Sequence, residues 1–231
     1  MRGLFVAGTD TGVGKSVVAA AACAALAERG ERVAAFKPVL TGLDEPTGAW
    51  PRDHQLLARA ANAGQGPDEV APLRFGPPVS PHLAAELAGA AIDPHSLVAA
   101  VRPTAATADA VLVEGVGGLM APLSHDFLVR DLARILGLPV LVVARPGLGT
   151  INHTLLTLAA AREVGLRIAS VVLNPWPAAP SRLETSNRET LERLGRAPVA
   201  ALPLTRPESL AEAGLELRVE RWLGEAPAAA A

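Results

Sequence analysis

The segment of the sequence best suited to chemistry is Gly8–Ser16, which reads Gly-Thr-Asp-Thr-Gly-Val-Gly-Lys-Ser. It follows a short apolar run and precedes an alanine-rich run, which is the strand-loop-helix context that a phosphate-binding loop requires. Gly12 and Gly14 allow successive backbone N–H groups to point into one anion-sized hollow, and the start of the helix adds the positive end of its dipole. The pattern predicts that Lys15 contacts the outer phosphates of a nucleotide and that Ser16 holds Mg²⁺.

This loop departs from the usual phosphate-binding spacing by one residue. Its first glycine is Gly8, whereas the strict pattern would place glycine where Thr9 stands. A glycine-rich turn that binds no ligand is the alternative, but Gly-Lys-Ser at the start of a helix rarely serves packing alone. We therefore expect a nucleotide site.

Two further charged residues end apolar runs. Glu114 follows Ala110–Val113 and precedes the glycine-rich run Gly115–Gly118, and Lys37 follows Val33–Phe36. Open α/β sheets bind ligands at the carboxyl ends of their strands, so both residues are expected beside the phosphate loop. There the carboxylate would hold Mg²⁺, and the lysine would offset the charge of a transferring phosphoryl group. The alternatives are a carboxylate that caps a loop and a surface lysine.

The apolar runs around these residues predict the elements that position them. Five runs predict strands, and the last three suit burial on both faces of a parallel sheet: Gly3–Ala7, Arg32–Phe36, Asp109–Val113, Leu138–Ala144 and Arg167–Leu173. Helical patterns cover Gly14–Arg29, His54–Ala63, Pro94–Arg102, Asp126–Leu136, Ile151–Val164 and Ser181–Leu194. Their alternation predicts an α/β fold of the P-loop NTPase type, with a doubly wound, mostly parallel sheet and helices on both faces. Segments 43–51, 64–81 and 174–180 are rich in glycine and proline and are expected to be surface loops.

Length and composition restrict the class of protein. The 231 residues are 50% hydrophobic and 19% charged, which predicts a single folded domain over residues 1–225 with a disordered tail at 226–231. A net charge of -2 and 3% aromatic residues without tyrosine argue against a nucleic-acid partner. One cysteine, Cys23, can build neither a disulfide framework nor a cysteine-rich zinc site. No segment resembles a signal peptide or a membrane span, so we expect a cytoplasmic protein with no membrane partner.

Five motifs in order along the chain resemble those of one family. They are Gly-Thr-Asp-Thr-Gly-Val-Gly-Lys-Ser at 8–16, Lys-Pro-Val-Leu-Thr-Gly at 37–42, Ser-Pro-His at 80–82, Val-Glu-Gly-Val-Gly-Gly at 113–118 and Gly-Thr-Ile-Asn-His at 149–153. Together they are similar to the motifs of the dethiobiotin synthetase family. The resemblance implies a cytoplasmic homodimer of biotin biosynthesis, an ATP-dependent cyclo-ligase. It would use ATP and Mg²⁺ to close the ureido ring of dethiobiotin from 7,8-diaminopelargonate and CO₂ or bicarbonate.

The same resemblance implies roles for individual residues. Lys37 and Lys15 would be catalytic, and Ser16, Asp53 and Glu114 would hold the metal, although a helix N-cap is the alternative for Asp53. The nucleotide would contact Thr11, Gly12, Val13, Gly14, Lys15, Ser16, Val17, Asp53, Glu114, Gly115, Val116, Gly117, Asn174, Pro203, Leu204, Thr205 and Glu208. Asn174 would read the adenine. The segment that carries Thr205 and Glu208 is about two residues shorter than in the family.

The substrate would contact a further set of residues. Thr41 would supply a hydroxyl, and Ser80 would form a wall of the pocket, although an N-cap followed by proline also explains Ser80. Gly149, Thr150, Ile151 and Asn152 open a helix whose free N–H groups suit the carboxylate of the substrate. The resemblance implies that this carboxylate comes from the site of the partner subunit, so that the active site is shared across the interface. Ordinary helix capping is the alternative.

Other functions remain as alternatives. A partition or division-site ATPase shares this kind of loop but normally has a lysine near its start, where this chain has Asp10. A cobyrinate-type amide synthetase would need a glutaminase domain with a nucleophilic cysteine. A non-catalytic nucleotide-binding regulator would need neither Lys37 nor Thr41. The histidines His54, His95 and His125 have no metal-ligand spacing and are predicted to lie at the surface.

Overall fold

A parallel sheet forms the centre of the computed structural model, which describes residues 1–225. The strands are β1 (Arg2–Gly8), β2 (Val33–Phe36), β3 (Val39–Leu40), β4 (Leu73–Arg74), β5 (Ala110–Gly118), β6 (Pro122–Ser124), β7 (Phe127–Leu128), β8 (Val140–Ala144), β9 (Ile168–Trp176), β10 (Val199–Pro203) and β11 (Gly224–Glu225). Six of them are parallel in the order β10-β9-β8-β1-β5-β2, and β11 pairs antiparallel with the start of β1.

Helices cover both faces of this sheet. They are α1 (Lys15–Glu28), α2 (Asp53–Ala60), α3 (Pro67–Val70), α4 (Pro81–Leu87), α5 (Pro94–Ala105), α6 (Val129–Leu136), α7 (Thr150–Glu163), α8 (Arg182–Gly195) and α9 (Leu210–Leu217), with 3₁₀ turns at Pro207–Ser209 and Val219–Arg221. The predicted α/β fold with a doubly wound, mostly parallel sheet is therefore confirmed. No helix within residues 1–225 is long and apolar enough to span a membrane.

The core is divided between the two faces by the alternation of side chains along each strand. On β1, Phe5 and Ala7 pack into one apolar cluster, whereas Leu4 and Val6 pack into the other together with α1. Successive residues of a strand point to opposite faces, so a strand that is apolar at every position is buried on both. Cys23 is fully buried among the alanines of α1, as predicted.

The strand order reverses next to β1. The chain leaves β1 toward β2 at one edge, returns through β5, and then continues through β8 on the other side. In such sheets a crevice opens outside the carboxyl ends of the strands at the reversal point. The loop that follows β1 therefore lies where a ligand can bind.

Several predicted boundaries are wrong for local reasons. Helix α6 begins at Val129 rather than at residue 126, because Phe127 and Leu128 pair with β6. Segment 174–180 is not entirely a loop, since β9 continues to Trp176 beside β10. Segment 64–81 contains α3 and β4, and the final elements β10 and α9 were not predicted.

Two other expectations have different outcomes. His54 was predicted at the surface, but only 6% of it is exposed because it lies in the first turn of α2 against the sheet. His125 is exposed, in agreement with the prediction. The disordered tail predicted at 226–231 lies outside the described residues.

Candidate active site

The larger of two adjoining cavities lies at the carboxyl ends of β1, β2 and β5 and has a volume of about 510 Å³. Most of the predicted site residues line it: Thr11, Gly12, Gly14, Lys15, Ser16, Val17, Lys37, Thr41, Asp53, Ser80, Glu114, Val116 and Gly117. Residues that the sequence did not indicate also line it, among them Leu40, Glu45, Pro78, Val79 and Ala121. The fold therefore brings the predicted metal residues, most of the phosphate loop and two of the predicted substrate residues, Thr41 and Ser80, to one cavity.

The phosphate loop owes its shape to two glycines. Gly12 and Gly14 have φ values of 71° and 87°, a region that side chains disfavour. A Cβ atom on Gly14 would also lie 2.1 Å from Nδ2 of Asn174. The loop ends as α1 begins at Lys15, so the first N–H groups of the helix face the cavity side of the sheet.

Gly8 explains the unusual spacing of the loop. A Cβ atom at this position would lie 2.9 Å from both Cδ and Nζ of Lys15. Glycine at the end of β1 therefore leaves room for the lysine to fold back across the loop, where its Nζ donates to the carbonyl of Asp10 at 2.9 Å.

Lys37 is the centre of a buried charged cluster. Its Nζ donates to Oε1 of Glu114 at 2.8 Å and to Oδ2 of Asp53, and it lies 3.5 Å from Oγ of Ser16. Ser16 also donates from Oγ to Oε1 of Glu114 at 2.8 Å. Lys37 and Glu114 are 5% and 1% exposed. The cluster thus joins the end of β2 and the middle of β5 to the starts of α1 and α2. The sequence predicted that this strand ends at Val113, but β5 continues past Glu114 to Gly118.

The charges in this cluster determine one another's protonation. Burial lowers the pKa of Lys37, but Glu114 and Asp53 outweigh burial and leave this pKa raised. Burial raises the pKa of Glu114, and the attraction of Lys37 opposes this only in part. For Asp53 burial also raises the pKa, but the contact with Lys37 outweighs it and leaves the pKa lowered. The lysine therefore remains charged as long as the carboxylates flank it.

Asp53 is not a helix N-cap. It is the first residue of α2, the capping position belongs to Arg52, and the carboxylate of Asp53 contacts Lys37. Lys15 differs from Lys37, because burial lowers its pKa to about 8 although Glu114 raises it. In residues 1–225 no carboxylate oxygen lies within 4 Å of Nζ of Lys15, which donates instead to the carbonyl of Asp10.

The smaller cavity has a volume of about 220 Å³ and adjoins the other side of the phosphate loop. Predicted nucleotide residues line it: Gly12, Val13, Gly14, Val17, Asn174, Leu204 and Thr205. Nδ2 of Asn174 donates to the carbonyl of Val13 at 3.1 Å, which fixes the amide against the loop. The two cavities share Gly12, Gly14 and Val17. A ligand could therefore extend from one into the other.

Three residues of the smaller cavity were missed by sequence reasoning, Trp50, Arg145 and Pro175. Arg145 directly follows the buried strand β8, and its Nη2 donates to the carbonyl of Thr11 at 3.3 Å. A charged residue at the end of a buried strand is the signal that identified Glu114, so the same reasoning could have found Arg145. Trp50 lies in a proline- and glycine-rich loop, where no local pattern marks it.

Some predicted residues line neither cavity. A Cβ atom on Gly115 would lie 2.9 Å from Val129. Gly115, Pro203 and Glu208 are absent from the lining of both cavities. Gly149, Thr150, Ile151 and Asn152 lie at the start of α7, with Gly149 at a φ of 93°. Their roles stay predictions.

Comparison with known proteins identifies the family. A family model described as an AAA domain matches residues 2–207. A protein of Anaeromyxobacter dehalogenans named ATP-dependent dethiobiotin synthetase BioD is 43% identical, over 88% of this chain and 90% of that protein. The chain belongs to the dethiobiotin synthetase family. The protein of the same name from Bacillus subtilis strain 168 is 35% identical over 86% of this chain and 85% of its own length.

Solved structures similar to this dethiobiotin synthetase family member share its fold. The cell division ATPase MinD of Pyrococcus furiosus has a TM-score of 0.59 at 21% identity, with 96% of this chain and 98% of that chain covered. A ParA family ATPase of Chlorobium tepidum has a TM-score of 0.53 at 17% identity, with 94% and 92% covered. Likeness at this identity concerns the fold alone. A partition-type ATPase is therefore less well supported than a dethiobiotin synthetase, because the dethiobiotin synthetases are 43% and 35% identical in sequence to this chain.

Proposed function

We propose that this protein is an ATP- and Mg²⁺-dependent ligase that converts 7,8-diaminopelargonate and CO₂ into dethiobiotin, with release of ADP and phosphate. The observation that carries the proposal is the buried cluster in which Lys37 contacts Glu114, Asp53 and Ser16 beside the phosphate loop. Such a cluster supplies charge neutralisation where a carboxylate-like group must approach a triphosphate. The names of the relatives agree with this reaction.

The reaction has three steps. One amino group of the diamine attacks CO₂, forms an N–C bond and loses a proton, which gives a carbamate. A carbamate oxygen then attacks the γ-phosphorus, and the bond to ADP breaks to give a carbamic-phosphoric anhydride. Finally the second amine attacks the carbonyl carbon, phosphate leaves and a proton is lost, which closes the ureido ring.

The protein contributes mainly position and charge. Lys15 and the loop N–H groups would bind the triphosphate, and Lys37 would offset the repulsion between carbamate and γ-phosphate. Thr41 and Ser80 line the same cavity as Lys37 and would orient the diamine. Because both lysines are buried, their charges act with little screening by water.

Ser16, Asp53 and Glu114 would hold Mg²⁺. Their oxygen donors suit a hard cation, and Oε2 of Glu114 is a buried acceptor without a partner among residues 1–225. No group of three His, Cys, Asp or Glu in the described part of the chain could hold a metal, which agrees with a Mg²⁺ bound by few carboxylates plus substrate phosphates. When bound, the ion would neutralise charge on the phosphates. Lys37 contacts both carboxylates, which places its ammonium beside the oxygens that would hold the ion.

The test of the reaction is the dependence of ATP turnover on the diamine and bicarbonate. We expect ADP release only when both are present, together with incorporation of labelled bicarbonate into dethiobiotin detected by mass spectrometry. ATP turnover that is independent of the diamine would instead support the partition-type alternative. ATP binding without any turnover would support the non-catalytic regulator.

The shared active site of a homodimer is part of the same proposal. Gly149, Thr150, Ile151 and Asn152 line neither of the two cavities described above. A substrate carboxylate at this helix start would come from the site of a second subunit. Leu148 precedes α7 and is 92% exposed, and Leu156 lies on α7 and is 61% exposed. Both provide apolar surface that a partner subunit could cover.

Monomeric variants test this arrangement. We expect Leu156→Asp to give monomers in sedimentation that bind ATP normally but bind the diamine poorly. Leu194→Asp on α8, where the leucine is 51% exposed, is the matched control and should leave both properties unchanged. Monomers that keep full diamine affinity would rule out the shared site.

The cytoplasmic location remains a prediction.

A further inference from the structure

The smaller cavity is placed to receive the part of a nucleotide that extends beyond the phosphates. It shares Gly12, Gly14 and Val17 with the larger cavity, so a ligand held by the phosphate loop has a continuous path between the two. Asn174 is 5% exposed and its Nδ2 is held by the carbonyl of Val13. Its amide is therefore a fixed polar group in a cavity that Arg145 and Thr205 also line and whose other walls are apolar side chains and glycines.

Trp50 lines this cavity from a different part of the chain. It is half-buried and packs against the apolar cluster that contains α1, so the core holds one part of the indole while another part faces the cavity. The other tryptophans, Trp176 and Trp222, line neither cavity. Trp222 packs against the same apolar cluster as Trp50, which makes it comparable in burial.

Leu204 adds a second observation about this cavity. It is 78% exposed although it lines a concave site, so a large apolar side chain is left uncovered in the free chain. A flat aromatic ligand would cover both Leu204 and the indole, and would place its polar edge at Asn174. A purine base has this combination of flat faces and polar edge.

We infer that Trp50 is a binding residue that stacks on the base of the nucleotide. The inference rests on the proposed nucleotide function and adds the aromatic contact that selects a base. An indole offers a broad flat surface, and stacking depends on overlap rather than on hydrogen bonds. Purines overlap more of it than pyrimidines do, so Trp50 favours ATP over CTP.

Binding measurements on variants test the contact without using activity. The probes are ATP, CTP and inorganic tripolyphosphate, titrated calorimetrically into wild type, Trp50→Ala, Trp50→Phe and Trp222→Ala. Loss of base stacking on an aromatic residue corresponds to about a 5- to 150-fold weaker affinity. We expect that loss for ATP with Trp50→Ala, no change for tripolyphosphate, and a smaller ratio of ATP to CTP affinity. Trp50→Phe keeps an aromatic face and should bind ATP within a few-fold of wild type.

The control and fluorescence measurements separate stacking from a structural role. Trp222→Ala loses similar packing outside the cavity and should leave all three affinities unchanged. ATP should quench the tryptophan fluorescence of wild type and Trp222→Phe but not that of Trp50→Phe. The fluorescence result decides the matter even if Trp50→Ala does not fold.

Three results would overturn the inference. They are an unchanged ATP affinity in Trp50→Ala, an equal loss for ATP and tripolyphosphate, or an undiminished quench in Trp50→Phe. Each of these leaves the proposed function intact, because wild type would still bind ATP. A wild type that binds neither ATP nor tripolyphosphate would contradict the proposed function as well.

Discussion

The two cavities share the phosphate loop as a common wall but differ in how their residues depend on one another. In the larger cavity Lys37, Glu114, Asp53 and Ser16 form one network, and two of its members are almost completely buried. In the smaller cavity Trp50 and Leu204 are apolar and in part exposed. Removal of one charge from a buried network leaves its partners uncompensated, whereas removal of an apolar contact affects that contact alone.

This difference predicts a gradient of effects. Substitutions in the charged network should alter activity, stability and metal dependence together. Substitutions around the smaller cavity should alter nucleotide affinity alone, and those at its rim should alter little.

Lys37→Met should have the largest effect. Loss of one preorganised charge at the reacting groups costs about 10²–10³ in kcat. The variant also leaves the buried Glu114 carboxylate unpaired, which for a buried pair costs about 3–5 kcal/mol of the free energy of unfolding. Steady-state kinetics and urea unfolding measure the two effects. The double variant Lys37→Met/Glu114→Gln should recover much of the stability but none of the activity. If Lys37→Met is as stable as wild type, Glu114 does not depend on Lys37 for its stability in the fold, and the residues of the network are independent of one another.

Lys15→Gln should reduce ATP affinity next most strongly. Loss of one charge-assisted contact with phosphate is worth about 1.5–3 kcal/mol, or roughly 10- to 150-fold in Kd. Calorimetric titration with ATP at constant ionic strength measures it. An ATP affinity equal to that of wild type would remove Lys15 from the phosphate site.

The lowered pKa of Lys15 predicts that ATP binding depends on pH. In the free protein the pKa of Lys15 is about 8, and bound phosphates would raise it. Below pH 8 the ammonium is charged in both states, so Kd is constant; above pH 8 binding must take up a proton, so Kd increases with pH. Titrations in buffers of different ionisation enthalpy measure the proton uptake. Lys15→Gln is the control, and it should lose the uptake.

Asp53→Asn should raise the Mg²⁺ concentration needed for half-maximal activity. A neutral amide is a weaker ligand for a hard cation than a carboxylate. We expect the Mg²⁺ concentration for half-maximal activity to rise at least about 10-fold, since loss of even an outer-shell partner of a metal site costs about that much in metal affinity. Asp53 has a side chain 38% exposed, so the fold should tolerate the change better than it tolerates Lys37→Met. An unchanged Mg²⁺ titration would leave Asp53 as a partner of Lys37 only.

Glu208→Gln should have the smallest effect. Glu208 is exposed and lines neither cavity, and substitutions at such sites usually change free energies by less than about 0.5 kcal/mol, or about twofold in Kd. Nucleotide titrations under the conditions used for Trp50→Ala allow a direct comparison. A large loss of ATP affinity would show that the segment around Glu208 closes over the base, as the family resemblance implies.

Local patterns in the sequence were sufficient for the fold class and, in the larger cavity, for the phosphate loop, Lys37 and Glu114. The apolar runs predicted five of the six parallel strands, and Lys37 and Glu114 were recognisable because each directly follows such a run. Lys37 was predictable because a charge that directly follows a buried strand lies at the edge of the sheet. Glu114 instead lies within β5, which continues past it through the glycines to Gly118. The phosphate loop was recognisable because its glycines and lysine are contiguous.

Only the tertiary structure decided which groups contact one another. The lysine at 37 meets a carboxylate 77 residues later, and Asn174 meets Val13 across 161 residues. Whether Asp53 caps a helix or contacts Lys37 depended on how α2 packs beside β2. Trp50 had no local signal, because its position in the smaller cavity depends on a loop packing against α1. The physical reason is that sequence periodicity specifies which side of an element is buried, whereas contacts between distant elements are selected by packing of the whole domain.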